Sequence, residues 1–290
     1  TVARFASYSS TDKIFDKEVD YWLPVDQYIG GIEHAILHLL YSRFFTKALN
    51  DLELIKFREP FIKLLCQGMV LKDGTKMSKS KGNTVNPQEL INLYGADTVR
   101  LFSMFASPPE QSLEWSNEGV KGSHKFLNKL WKLSLTLINQ KIHKRKSAID
   151  IKPLEVKLNQ TIKKVSDDFE RRNSFNTAIA AVMELLNLIP KEFSNNEIAE
   201  DERKIFKKII DSSLLMLSPI APHITHELWK KLKNGNEILN ESWPTYDPEL
   251  LEEESYKLVV QVNGKLRGSL LLNEEKSQDE IIDLSKDCLL

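Results

Sequence analysis

The spacing of apolar positions changes twice along the chain, and each change predicts a different architecture. From Leu23 to Ile29 a short extended run meets Gly30-Gly31, read as a glycine turn. A helix follows at once, with Ile32, Ala35, Ile36, Leu39 and Leu40 as its core stripe, and runs to about Leu49. Strand, glycines, then helix is the local grammar of a parallel α/β nucleotide-binding sheet. Gly68-Met69-Val70-Leu71 predicts a second strand, closed by the turn Lys72-Asp73-Gly74. A helix is expected from about Pro87 with Asn86 as its cap, and another near Ala96 to Phe105. Ser107-Pro108-Pro109 then breaks the pattern.

From Val120 onward the helical period takes over, in segments near 120–142, 153–172, 174–189, 198–217 and 221–233. Pro190, Pro219 and Pro222 punctuate them, and the whole reads as a helical bundle. The tail changes once more. Tyr256–Val262 and Lys265–Leu272 flank Asn263-Gly264, a strong hairpin signal, and a helix is expected from about Ser277.

Composition narrows the class without naming a chemistry. The 290 residues are 41% hydrophobic and 28% charged, which excludes wholesale disorder, and the formal net charge is -1. No apolar run approaches the roughly 18 residues of a membrane helix. Two cysteines, Cys66 and Cys288, cannot build a disulfide framework and suggest a reducing, cytoplasmic setting. A start at Thr1 with neither Met nor an apolar signal core hints at a chain cut from something larger.

Charge is neutral on average but segregated. Lys121, Lys125, Lys129, Lys132, Lys141, Lys144, Arg145 and Lys146 fall in a stretch with no acid, whereas Glu241 to Glu254 holds six acids and no base. The first four lysines share one helix face, with Phe126, Leu130, Leu133 and Leu137 rotated away as the buried face. Such a stripe is either a solvated surface or a track for a phosphate backbone. His34 and His38, four apart on a helix, resemble half a metal site. The order is not His-Glu-x-x-His and no cysteine is near, so no metal is assigned.

The stretch Lys76-Met77-Ser78-Lys79-Ser80-Lys81-Gly82-Asn83 sets three lysines and two serines beside the predicted sheet. It is similar to the Lys-Met-Ser-Lys-Ser signature of class I aminoacyl-tRNA synthetases. Its neighbours narrow the resemblance to leucyl-tRNA synthetases: Pro24 to Ala35, Leu39 to Phe44, Pro60-Phe61, Gln67-Gly68-Met69-Val70, Tyr94 to Arg100 and Val262 to Lys265. The isoleucine- and valine-specific relatives differ where this chain has Gly30-Gly31-Ile32-Glu33-His34.

The resemblance implies an α/β plus all-α fold in three parts. These are the C-terminal half of a Rossmann-type catalytic domain (1–108), a helical anticodon-binding-type bundle (109–250) and a partial α+β C-terminal module (251–290). It implies activation of leucine with ATP and Mg²⁺, then transfer to the terminal adenosine of tRNA(Leu). By the same resemblance Lys79 and Lys76 are catalytic, within a loop that includes Met77, Ser78 and Ser80. Gly30, Gly31, Glu33, His34, Gln67, Gly68, Met69 and Val70, with Lys76, Met77, Ser78, Lys79 and Ser80 of the loop, would hold ATP or the adenylate. Tyr28, His34 and His38 would edge the leucine pocket, and Lys121, Lys125, Lys129 and Lys132 would contact tRNA. His223 and His226 read as structural.

The His-Ile-Gly-His signature and an editing domain are missing, and Leu71 to Thr75 leaves no room for the insertion that many bacterial relatives carry before the loop. The expectation is a fragment or a split subunit that needs an N-terminal half. The alternatives are a synthetase for isoleucine, valine or methionine, a tRNA-binding module without catalysis, and a nucleotidyltransferase.

Overall fold

The computed structural model describes residues 6–143, 147, 149–190, 193, 197–233, 235–251, 256–262, 265–272 and 278–287. Helix α1 (Lys17–Trp22) is capped by Asp16, whose carboxylate accepts from the Glu18 amide at 2.9 Å. Strand β1 (Val25–Gly31) follows and pairs in parallel with β2 (Phe61–Gln67), Val25 lying opposite Phe61 and Gly31 opposite Gln67. A parallel pair needs a crossover. A 3₁₀ turn (Ile32–His34), a π turn (Ala35–Leu39) and helix α2 (Leu40–Asp51) supply it.

Two sequence expectations do not hold in the fold. Gly30 and Gly31 are the last residues of β1 and hydrogen-bonded sheet members, not a turn, because β2 continues alongside them to Gln67. The stripe Ile32, Ala35, Ile36, Leu39, Leu40 is not a core stripe: Leu39 alone is buried, while Ile36 is 77% and Leu40 60% exposed. Among the described residues the sheet beneath this helix has two strands, and no second layer meets the apolar face. The small core of this region is Val19, Leu23 and Ile55, backed by Phe15, Val25, Leu49 and Phe57.

A second sheet, ordered β4-β3-β5, joins β3 (Val70–Lys72), β4 (Thr75–Lys76) and β5 (Leu113–Glu114). The expected strand 68–71 thus starts later, at Val70. Gly68 lies outside it in a spot only glycine fits: a Cβ there would stand 2.1 Å from the Gln111 carbonyl oxygen. Helix α3 (Pro87–Tyr94) has the expected Asn86 cap, accepting from the Gln88 amide at 3.0 Å, and α4 (Ala96–Phe105) follows Gly95.

The bundle comprises α5 (Asn117–Asn139), α6 (Lys152–Asp167), α7 (Phe175–Asn187), α8 (Glu200–Leu217) and α9 (Pro222–Leu232). Short strands β6 (Lys141–His143) and β7 (Glu197–Ala199) tie two of its connections together in parallel. Its core is continuous and includes Phe126, Leu130, Leu137, Ile162, Ile179, Leu185, Phe206, Ile209 and Trp229. Leu101 of α4 belongs to that same core, so helical packing begins before residue 109.

Antiparallel β8 (Tyr256–Val262) and β9 (Lys265–Leu272) form the expected hairpin, followed by α10 (Gln278–Asp287). The Asn263-Gly264 turn, Ser277, Cys288, Lys144 to Lys146 of the basic run and Glu252 to Glu254 of the acidic run lie outside the described residues. Among the described residues no helix is long and apolar enough to cross a membrane, and no group of three His, Cys, Asp or Glu could hold a metal ion.

Candidate active site

The lysine-serine loop is a closed structure. Strand β4 delivers Lys76, and the Met77 amide donates back to the Val70 carbonyl at 3.0 Å. Ser78 caps a 3₁₀ turn (Lys79–Lys81), its hydroxyl accepting from the Lys81 amide at 3.3 Å and lying 3.2 Å from that of Ser80. Gly82 ends the turn at φ 66°, where a side chain would be strained.

Asn83 then bridges the loop. Its Oδ1 accepts from the Ser78 amide at 2.9 Å, and its Nδ2 donates to Thr75 Oγ1 at 3.1 Å and to the Lys76 carbonyl at 3.3 Å. Sequence reasoning gave Asn83 no role. The available signal was an amide side chain directly after a glycine able to turn the chain back.

The glycine pair sits at the C-terminal ends of two parallel strands, where open α/β sheets receive ligands. The space a Cβ would occupy at each glycine is filled by the chain itself. At Gly30 it would lie 3.0 Å from the Tyr28 ring, and at Gly31 2.3 Å from Glu33 Oε2. That carboxylate meets the loop: Lys76 Nζ lies 3.5 Å from Glu33 Oε1. A hydrogen bond that the carboxylate accepts from Glu33's own backbone amide, and then the Lys76 charge, hold the carboxyl below its ordinary range.

The structure brings Tyr28, His34 and His38 together. The Tyr28 ring centroid is 5.5 Å from that of His38 and 4.8 Å from Phe61, and the two histidine rings are 6.2 Å apart. Both histidines are exposed and Tyr28 is half-buried, so they form an open shelf in this chain. Gln67 ends β2 beside Gly31. Gly68 and Met69 spend backbone groups internally: the Gly68 amide donates to the Pro109 carbonyl at 2.9 Å, and the Met69 carbonyl accepts from Leu113 at 2.9 Å.

The lysine stripe is less uniform than its spacing predicts. Lys121 pairs with Glu118 at 2.8 Å. Lys129 turns onto α7, donating to Asn187 Oδ1 at 2.6 Å, and partial burial lowers its pKa. Lys129 is therefore removed from the exposed face, which keeps Lys121, Lys125 and Lys132.

A clasp joins the α3–α4 region to the bundle. Buried Asp97 accepts from the Ile224 amide at 2.7 Å and lies 2.8 Å from His223 Nδ1, and Arg100 donates to the carbonyls of Ile220 and Pro219, both at 2.9 Å. His223 is thus structural, as expected from the sequence. Its partner lies 126 residues away and has no local signature.

Comparison with known proteins agrees with this geometry. Residues 5–116 match the family described as tRNA synthetases class I (I, L, M and V), and residues 152–282 match the anticodon-binding domain of tRNA ligase. A leucine–tRNA ligase of Methylobacillus flagellatus is 50% identical over 99% of this chain and 36% of its own length. One from Marinomonas sp. is 53% identical over 93% of this chain and 33% of its own length. The chain therefore spans about a third of the length of the curated relatives it matches.

Among solved structures, a ternary complex of Agrobacterium radiobacter K84 agnB2 LeuRS with tRNA and LeuAMS superposes with a TM-score of 0.75 at 33% identity. The match covers 98% of this chain and 36% of that one. A Mycobacterium tuberculosis methionyl-tRNA synthetase in complex with methionyl-adenylate shares the fold, with a TM-score of 0.59 at 20% identity over 78% of this chain and 47% of that one.

Proposed function

We propose that this chain, homologous along nearly its whole length to leucine–tRNA ligases and built as a class I synthetase segment, supplies the lysine-serine loop and tRNA-binding bundle of a leucine–tRNA ligase. The observation that carries this reading is the approach of Lys76 to Glu33, which brings a cationic loop against a glycine pair at the mouth of a parallel sheet.

In the first step a carboxylate oxygen of leucine attacks the α-phosphorus of ATP, the bond to the bridging oxygen breaks, and pyrophosphate leaves with the electron pair. In the second, the 2′-hydroxyl of the terminal adenosine of tRNA(Leu) attacks the leucyl carbonyl, gives up its proton, and AMP departs. Charge builds on the phosphates in the first step, and preorganised cations in a site that excludes water stabilise it most. Lys79 is assigned to those phosphates, with Lys76, Met77, Ser78 and Ser80 shaping the loop. Mg²⁺ enters with the phosphates of ATP as part of the substrate and adds charge neutralisation there.

Gly30, Gly31, Glu33, His34 and Gln67 to Val70 are assigned to the adenosine, Tyr28, His34 and His38 to the edge of the leucine pocket, and Lys121, Lys125 and Lys132 to the tRNA backbone. The proposed division is 1–108, 109–250 and 251–290, with α4 of the first part packed into the bundle core, in a cytoplasmic enzyme. The exposed face of Ile32, Ile36, Leu40 and Phe44 is where an N-terminal half, on the same polypeptide or a separate subunit, would complete the sheet region.

The test is aminoacylation of tRNA with leucine, isoleucine, valine and methionine, by this chain alone and joined to the N-terminal portion of a relative. The expected result is charging by the joined protein only, with leucine only. Charging with another amino acid would reassign the substrate, and none at all would leave a tRNA-binding module.

A further inference from the structure

We infer that Glu33 is a positioning residue for the lysine-serine loop: its carboxylate, seated over Gly31, tethers Lys76 and holds the loop against the glycine pair before any ligand arrives. This deepens the ligase reading for its purpose, but the tether itself rests on geometry alone.

Three observations converge on it. Glu33 and Lys76 are 43 residues apart and belong to different sheet regions, yet their charged atoms approach to 3.5 Å. The carboxylate reaches that position through space that exists only because residue 31 has no side chain, since a Cβ there would stand 2.3 Å from Oε2. The far end of the tether is firm: Asn83 holds the Lys76 carbonyl and Thr75, and Glu114 accepts from the Gly74 amide at 3.2 Å at the tip of the same hairpin. A contact at Lys76 therefore orients a closed loop, not a slack segment. Exposed Lys79, three residues on, is not drawn into the pair.

Amide hydrogen exchange on the full chain, without substrate, tests this apart from ligase activity. Glu33→Gln should speed exchange of residues 75–83 by about two- to five-fold, the scale of an exposed ion pair, and leave 87–105 unchanged. Gly31→Ala should do the same, because the added methyl displaces the carboxylate. The reversed pair Glu33→Lys with Lys76→Glu should restore protection. Unchanged exchange at 75–83 in Glu33→Gln would overturn the tether. So would failure of the reversed pair to restore protection, or loosening that spreads equally to 87–105.

Discussion

In the bundle, apolar periodicity and burial coincide: Phe126, Leu130 and Leu137 recur along α5 and all three are buried. In the sheet region the same kind of pattern is left in the open, with Ile36, Leu40 and Phe44 each more than half exposed. The residue chemistry is alike, so the difference lies in what the rest of the chain provides. Five helices cover one another's stripes in the bundle, whereas a two-stranded sheet and one crossover helix leave an outer face uncovered. Periodicity states which face is apolar. It does not state whether the covering surface belongs to the same segment.

Core truncation should separate the two regions most strongly. Phe206→Ala in the bundle should cost about 3–5 kcal/mol in chemical denaturation, as expected for a fully buried aromatic. Ile36→Ala should stay within about 0.5 kcal/mol in this chain, because little contact is lost. Equal losses would mean that the two regions are not built differently.

The joint between them comes next. Asp97→Asn removes a buried charged acceptor from the α9 N-terminus and should cost about 1–3 kcal/mol in the same measurement. A neutral result would make the clasp incidental.

Smaller effects test the two surfaces. Lys125→Ala with Lys132→Ala should reduce the salt dependence of tRNA binding by about 0.7–0.9 log units of slope per lost contact. Lys129→Ala should leave the slope unchanged, since its ammonium is turned to Asn187.

On the sheet side, Arg43 grips Glu59 through two nitrogens at 2.8 Å and holds its carboxyl at about 2 against an ordinary 4.5. A carboxyl lowered on folding stabilises above its unfolded value, so this contribution is complete above pH 4.5 and fades as the pH falls toward 2. Carboxyl resonances followed by NMR should show Glu59 titrating near 2, and Arg43→Gln should move the midpoint upward.

Legibility in the sequence follows the range of the interactions. The bundle helices, the Asn86 cap and the terminal hairpin were readable because their signals are local. Strand β2 was not: Phe-Ile-Lys-Leu-Leu-Cys-Gln has no strict alternation, and its bracketing residues Pro60 and Gly68 do not by themselves mark a strand. The site was readable as two segments, the glycine pair and the lysine-serine loop, each carried by its own motif. What joins them was not, because Glu33 to Lys76 and Asp97 to His223 are contacts between distant positions, set by packing. Asn83 was also missed, although its position after Gly82 marks a turn.

Lys79 is proposed to act on the phosphates in leucine activation. Leucine-dependent exchange of pyrophosphate into ATP tests this, comparing Lys79→Ala with the unaltered residue in this segment joined to the N-terminal portion of a relative. The expected result is a fall of about 10²–10³ in rate, the cost of one missing donor to developing charge, with leucine binding little changed. Exchange at the unaltered rate would contradict it.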